Sequence, residues 1–243
     1  MSERIPWLRI LGEGTMIVAS ILLAFGIQTW WENRTEADRE QRLLTALLAE
    51  FGQNADLLAR AGSDYRARYL DAAGVLDAID RSSAEVDDAD LRQLVQGLAS
   101  AQTFHLESGA HDALLASGEL DVIRDEVLRA RLAAWPSFVE EWAEEERAVF
   151  SFAQETLVPY LSQKASLRRI RPPFRPFPDG ESPPQLEAPS GNDPSLRPLL
   201  GEVEFENLVY RNAQGLWYAI RDGETLLTQL TAVLELIQTN RVR

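Results

Sequence analysis

Residues 14–58 read GTMIVASILLAFGIQTWWENRTEADREQRLLTALLAEFGQNADLL, and the change of pattern along this stretch decides the fold. No charged residue occurs from position 14 to position 31, and an apolar run of roughly 18 residues is the short end of bilayer-spanning length. Beyond it, charged residues separate apolar ones at helical spacing, namely Leu43, Leu44, Leu47, Leu48, Phe51, Ala55 and Leu58. The stretch predicts a membrane-spanning helix that continues as an amphipathic helix.

Tryptophan residues flank the uncharged run. Trp7 precedes it, and Trp30 and Trp31 close it. At about 1.5 Å per residue, a helix from Trp7 to Trp30 is roughly 35 Å long, which matches a hydrocarbon core with its interfaces. Because tryptophan is enriched at membrane–water interfaces, we predict that Trp7, Trp30 and Trp31 are membrane-interface residues.

A cleaved signal peptide is the alternative interpretation of the N-terminus. Arg4 and Arg9 give it a basic start, and residues 24–26 loosely resemble a cleavage site. However, Glu13 is unusual in such a start, and the tryptophan pair is followed by Glu32-Asn33-Arg34, which is typical of a helix that leaves a membrane. The pattern therefore favours an uncleaved anchor.

The chain is thus predicted to have three parts: a short tail at 1–13, a transmembrane anchor at 14–31 and a helical extramembrane domain at 32–243. Arginines lie on both sides of the anchor, so the positive-inside rule gives a near tie. A large domain is translocated largely regardless of its charge, which favours a cytoplasmic N-terminus. We expect a single-pass protein of a bacterial inner membrane whose helical domain is periplasmic.

The domain itself is predicted to be an all-α helical bundle. The periodicity of the first helix extends to about Ile79, with a possible kink at Gly62, and Asp87 or Asp88 can cap a short helix. A second short helix should stop at Gly118. Two further long apolar patterns follow, from position 123 to 161 and from 205 to 237, with Pro136 expected to restart or kink the first and Pro159 to end or bend it.

A proline-rich, irregular excursion is predicted at 164–198, which contains nine prolines and little periodicity. Its basic and aromatic side chains are predicted to contact a partner protein or lipid headgroups: Arg168, Arg169, Arg171, Phe174, Arg175 and Phe177. The alternative is a loop that folds back onto the acidic bundle.

Composition excludes several classes of function. The formal net charge of −14 makes nucleic acid an improbable partner, and the absence of cysteine excludes thiolate catalysis and cysteine-ligated metal centres. His105 and His111 lie near carboxylates but lack the paired spacing of a bundle metal site.

The acidic run from 140 to 146 is interpreted as a solvated helix face. No nucleophile elbow or phosphate-binding loop occurs, so we expect no enzymatic activity, no metal and no cofactor.

The order of these features resembles a family of uncharacterised bacterial single-span membrane proteins. The resemblance is carried by Gln28-Thr29-Trp30-Trp31 and by the central pattern Leu-x-x-Ser-Gly-x-Leu-x-x-Ile-x-Asp, which runs here from Leu114 to Asp125. It covers most of residues 12–135 and leaves out the proline-rich excursion. The resemblance implies a membrane-anchored helical architecture and assigns no catalytic residues.

Two functions remain open from the sequence. The first is a non-catalytic accessory or scaffolding subunit of a larger membrane protein complex, such as a respiratory or photosynthetic reaction-centre assembly, with other membrane subunits and the bilayer as partners. The alternative is a stand-alone exported sensor or ligand-binding bundle that passes its signal to another protein. An enzyme of unrecognised type would instead require a polar cleft with perturbed carboxylates near His105 or His111, and a deep pocket is the discriminating feature.

Overall fold

The computed structural model describes residues 7–81, 86–100, 102–170 and 195–242, and within these ranges every regular element is a helix. The predicted all-α fold is therefore confirmed. The α-helices are α1 (Trp7–Asp80), α2 (Asp88–Ala99), α3 (Gly109–Ser117), α4 (Glu126–Phe152), α5 (Val158–Lys164), α6 (Leu167–Ile170) and α7 (Val203–Val242). A π-helical turn at Ala153–Leu157 joins α4 to α5, and 3-10 turns lie at Glu119–Val122 and Arg197–Gly201.

Helix α1 is one uninterrupted element of 74 residues, roughly 110 Å long at 1.5 Å per residue. The prediction that the N-terminal run and the first amphipathic stretch share one helix is confirmed, and the helix continues through Gly62. The N-terminal part is consequently joined to the bundle by continuous helix, without a flexible linker.

Helices α1, α4 and α7 form a three-helix bundle. Tyr65 of α1 bonds to Glu146 of α4, and Glu40 bonds to Arg124 just before α4 begins, so these two helices run parallel. By contrast, α7 runs antiparallel to α1, because Gln41 contacts Asn240 whereas Arg66 pairs with Glu224. The short helices α2 and α3 both pack against α1, and Leu91, Val95 and Leu114 contribute fully buried side chains to the core.

A seven-residue repeat explains why these helices associate. Most buried residues of α1, all except Glu50 and Ala78, recur at alternating steps of four and three: Glu40, Leu44, Leu47, Phe51, Asn54, Leu58, Ala61, Tyr65, Arg68, Ala72 and Val75. Buried residues of α4 and α7 fall on the same steps, including Leu128, Leu132 and Trp135 on α4, and Leu226, Leu230 and Val233 on α7. This repeat keeps each apolar seam facing its neighbours over many turns.

The ends of the short helices follow the sequence predictions. Asp87 caps α2 by accepting hydrogen bonds from the backbone N–H groups of Ala89 and Asp90. Helix α3 ends at Gly118, whose φ of 71° lies in the left-handed region that glycine adopts without strain. Asp125 caps α4 by accepting from the N–H of Leu128 at 2.9 Å.

Of the two outcomes predicted for Pro136, a restart of the helix is excluded, because α4 runs through this residue, and a kink stays a prediction. A proline cannot donate to the carbonyl four residues earlier, which here belongs to Leu132. In place of that bond, the buried His111 ring contacts the Leu132 carbonyl oxygen through Nε2 at 2.8 Å. His111 therefore carries its proton on Nε2 and satisfies the acceptor that Pro136 leaves open.

Of the two outcomes predicted for Pro159, an end of the helix at this residue is excluded, because α5 continues through it, and a bend stays a prediction. The chain forms a π-helical turn at Ala153–Leu157 and resumes as α5, with Pro159 in its first turn. A wider turn and a helix start are both places where a missing backbone N–H is tolerated.

The predicted transmembrane span is not confirmed. In the described part of the chain, no helix carries an apolar stretch of the length and hydropathy that a membrane crossing requires. The structure does not describe the side chains of residues 7–15 and of Ile17, so the first part of the predicted segment 14–31 lies outside the described side chains.

Candidate functional site

Residues 18–36 of α1 project from the bundle with every side exposed. All residues from 18 to 36 are exposed, which is more than five helical turns. The exposed fraction is 66% for Leu22, 62% for Phe25, 64% for Trp30 and 65% for Trp31. A water-soluble surface helix normally exposes polar residues on its outer face, so this segment has the surface of a helix that something else covers.

The predicted interface tryptophans are only partly described. Trp30 and Trp31 lie side by side, with ring centroids 6.5 Å apart, at the end of the apolar segment nearest the bundle. Trp7 is the first described residue of α1, but its side chain lies outside the described part. Their interface role stays a prediction.

Two of the six predicted contact residues, Arg168 and Arg169, are described, and they lie far from the exposed N-terminal segment of α1. Arg168 is exposed and Arg169 half-buried on the short helix α6, whose Ile170 is buried. Ile170 belongs to the same apolar cluster as Val75, which lies roughly 60 Å along α1 from Glu36, the last residue of the fully exposed stretch. Arg171, Phe174, Arg175 and Phe177 lie outside the described residues. A contact of these side chains with a partner protein or with headgroups stays a prediction.

A strap of chain, residues 102–125, contains α3 and the 3-10 turn Glu119–Val122 and is held against α1 by buried polar side chains. Asn54, which is fully buried, donates to the Glu107 carbonyl oxygen at 2.7 Å and accepts from the Glu107 N–H at 2.8 Å. Glu50 accepts from the N–H groups of Ala110 and His111 at the start of α3, where the helix dipole favours a negative charge. These bonds fix the strap through its backbone.

The end of the strap contacts α1 where the exposed N-terminal segment enters the bundle. Arg39 pairs with Glu119, and the Arg124 guanidinium donates to the Asn33 carbonyl oxygen at 3.3 Å. Glu40 is buried and accepts from the Arg124 N–H at 2.8 Å. The strap thus braces the junction between the projecting helix and the bundle.

The central sequence pattern has a structural role at each of its positions. Leu114 and Ile123 are buried in the main core and Leu120 packs against it. Ser117 donates to the Leu114 carbonyl oxygen, Gly118 ends α3 and Asp125 caps α4. The pattern therefore specifies how the strap turns.

The two histidines have separate environments. His111 is buried against Phe51 and bonded to Leu132, whereas His105 is exposed on the strap. Among the described residues, no group of three or more histidine, aspartate or glutamate side chains is placed to hold a metal ion.

The interpretation of residues 140–146 as a solvated face is wrong for Glu146, which is only 5% exposed. Its carboxylate accepts from the Tyr65 hydroxyl at 2.8 Å and from the Phe104 N–H at 2.7 Å. Burial raises the pKa of Glu146, while the hydrogen bonds from Tyr65 and Phe104 and the nearby charges of His105 and Arg68 lower it in part. Burial and the facing carboxylate likewise raise the pKa of Tyr65.

Substitutions of Glu146 should separate its charge from its hydrogen bonds. Because the pKa of Glu146 is raised in the folded state, the protonated carboxyl stabilises the fold relative to the ionised one. This stabilisation is fully present below the unfolded-state pKa of about 4.3 and is lost as pH rises through the folded-state pKa. E146Q keeps the acceptor oxygen and should flatten this pH dependence, with equal or higher melting temperature at pH 7. E146A leaves two donors unpaired and should cost about 2–4 kcal/mol at every pH. Melting curves from pH 4 to 7 test this, and a wild type that gains stability over E146Q as pH rises would contradict it.

A shallow cleft of about 230 Å³ lies between α4 and α7, below the roughly 300–1,000 Å³ of typical ligand pockets. Its lining residues are Phe138, Glu141, Trp142, Arg221, Asp222, Thr225 and Leu226. Arg221 is paired with Asp222 and stacks over Trp217 and Tyr218. The cleft therefore offers little free polar chemistry to a ligand.

Comparisons of the chain with protein-family models, with curated proteins and with solved structures found no match. The resemblance to bacterial single-span proteins accordingly stays a prediction.

Proposed function

We propose that this chain is a non-catalytic accessory subunit of a larger membrane protein complex, anchored by residues 14–31 and contributing a stiff helical bundle outside the bilayer. The observation that carries the proposal is the exposure of residues 18–36 on all sides, with Leu22, Phe25 and Trp30 among them. Burying such side chains contributes about 1.5–3 kcal/mol each, and a bilayer can cover every side of the helix at once. The proposed span starts at Gly14, before the described side chains.

Continuity of α1 supports a scaffolding role. The proposed anchor passes into the bundle without a break, and Arg39, Glu40 and Arg124 brace the junction. A ligand-driven sensor would need a pocket, and the cleft beside Trp142, in the described part of the chain, is small and lined by the ion pair of Arg221 and Asp222. The bundle would thus hold a fixed distance and direction relative to the membrane.

The proposed setting is a bacterial inner membrane, with a cytoplasmic N-terminus and a periplasmic bundle. Other membrane subunits are the proposed partners, and respiratory or photosynthetic complexes are the proposed hosts. At the far end of the bundle, the exposed Arg168 gives such a partner a cationic contact.

Native membranes solubilised in a mild detergent and run on a native gel test this role. We expect the chain to migrate with a fixed set of other membrane proteins in constant ratio. The control is the same extract in a denaturing detergent, where the chain should migrate alone. If the chain already migrates alone in the mild detergent, the accessory-subunit proposal is rejected.

A further inference from the structure

The cleft between α4 and α7 has an unpaired hydrogen-bond donor in its wall. Trp142, which lines the cleft, is only 2% exposed, and its indole N–H meets no hydrogen-bond acceptor in the part of the chain that the structure describes. Every described polar side-chain atom that is shut off from solvent does have a partner, so the Nε1 atom of Trp142 is open to solvent. Because the rest of this residue is buried, the opening is the cleft.

Gly223 of α7 keeps this donor uncovered. A side chain at position 223 would place its Cβ atom 3.3 Å from Nε1 and 3.7 Å from Cδ1 of Trp142. Glycine in a helix interior costs about 1 kcal/mol relative to alanine. Gly223 therefore lowers the stability of α7 and leaves the Trp142 N–H accessible.

The size and walls of the cleft fit one aromatic side chain. Its volume is about 230 Å³, and a cavity of roughly 150 Å³ already holds a benzene molecule. Phe138 and Leu226 give it apolar walls. The Arg221 guanidinium is engaged by Asp222 at 2.8 Å, so the Trp142 N–H is the free donor, and a carbonyl oxygen is the group that satisfies it.

The rim of the cleft is negatively charged. Glu141 lines the cleft and is exposed, without an ion pair to any described residue. The hydrogen bond to Asp222 raises the pKa of Arg221, and the charge of Glu145 adds to this effect, so Glu145 also lies close to the cleft. Three carboxylates thus surround one guanidinium, and the rim attracts cationic groups.

We propose that this cleft binds one aromatic side chain of another subunit, within a segment where arginine or lysine flanks the aromatic residue. The ring lies against Phe138 and Leu226, a backbone carbonyl accepts from the Trp142 N–H, and the flanking cations face Glu141 and Glu145. Aromatic and arginine side chains dominate the binding energy of many interfaces. The inference rests on the proposed accessory role, because it names the chemistry by which a neighbouring subunit is recognised.

A blocked tripeptide of arginine, phenylalanine and arginine is the probe. It is titrated into the full chain in a mild detergent, and nuclear magnetic resonance follows the indole N–H signals of isotope-labelled tryptophan. The signal that is lost in W142F identifies Trp142. We expect this signal to move downfield and to saturate, because its N–H gains an acceptor. Blocked tripeptides with glutamate in place of arginine, or with alanine in place of phenylalanine, should bind at least about tenfold more weakly.

A pair of glycine substitutions on α7 shows whether the peptide uses the cleft. G223A covers the Trp142 N–H with a methyl group and should lower the affinity for the basic peptide by about tenfold. G215A is the matched control, because its Cβ would meet Val149 at 3.4 Å, outside the cleft, and it should leave the affinity unchanged. Unchanged helical content by circular dichroism shows that both variants fold.

Several results would overturn the proposal. These are an unmoved Trp142 signal, equal binding of the basic and the acidic peptide, and a loss of affinity in G215A as large as in G223A. Binding that appears only in an F174A/F177A chain would mean that the chain's own phenylalanines compete for the cleft, and would exclude another subunit as its occupant. Failure of the accessory role is seen separately on the native gel. A chain that migrates alone there but binds the basic peptide keeps the cleft as a binding site and loses only the accessory role.

Discussion

The double substitution L22R/F25R should move the chain from the membrane to the soluble fraction. Both side chains are exposed, at 66% and 62%, and lie on one side of α1 near the middle of the proposed span. An arginine at the centre of a membrane helix costs about 2.5–3.5 kcal/mol, so two cost roughly 5–7 kcal/mol, more than a thousandfold in partitioning. Alkaline carbonate extraction followed by immunoblotting measures the distribution.

The matched control is L70R, because Leu70 lies on the same helix and is 67% exposed, but belongs to the bundle. This variant should stay in the membrane pellet. The anchor proposal is rejected if the wild-type chain is already found in the soluble fraction. It is also rejected if L70R releases the chain as strongly as L22R/F25R does. Since neither Leu22 nor Phe25 is buried, the bundle of the released variant should melt as the wild type does.

Much of the fold could be predicted from the sequence, because helical periodicity, caps and turns are local signals. The continuous α1, the cap at Asp87 and the stop at Gly118 each depend on residues within a few positions of one another. The unbroken course of α4 through Pro136 could not be predicted. The group that replaces the missing helix hydrogen bond is the His111 ring, which lies on a different element. A local rule cannot identify such a long-range partner.

The buried polar groups were harder to predict, although a signal for some of them exists. Glu40, Asn54 and Arg68 occupy core positions of the seven-residue repeat of α1 and lie fourteen residues apart. A polar residue at such a position is costly unless paired, so each indicates a partner. The sequence does not show that the partners of Glu40 and Asn54 are backbone groups of the strap, because that depends on how residues 102–125 fold back.

Removing the His111 ring should be among the most destabilising single changes outside the apolar core. H111A leaves the buried Leu132 carbonyl oxygen without its donor and opens a cavity beside Phe51. An unsatisfied buried acceptor costs about 1–3 kcal/mol and the lost packing adds to it, so we expect about 2–4 kcal/mol. For a chain of this size, that corresponds to a fall in melting temperature of roughly 4–16 °C. Thermal unfolding of the full chain in detergent measures it.

The partner substitution P136A shows whether His111 acts by replacing the missing helix bond. Alanine restores a backbone N–H that can donate to the Leu132 carbonyl, so in the P136A background the cost of H111A should shrink by about 1–2 kcal/mol. H105A, which removes the exposed histidine, should change stability by less than about 0.5 kcal/mol in either background. Equal costs of H111A with and without Pro136 would mean that the ring stabilises the fold by packing alone. A reduced cost would instead mean that the strap supplies the hydrogen bond that lets α4 pass through a proline unbroken.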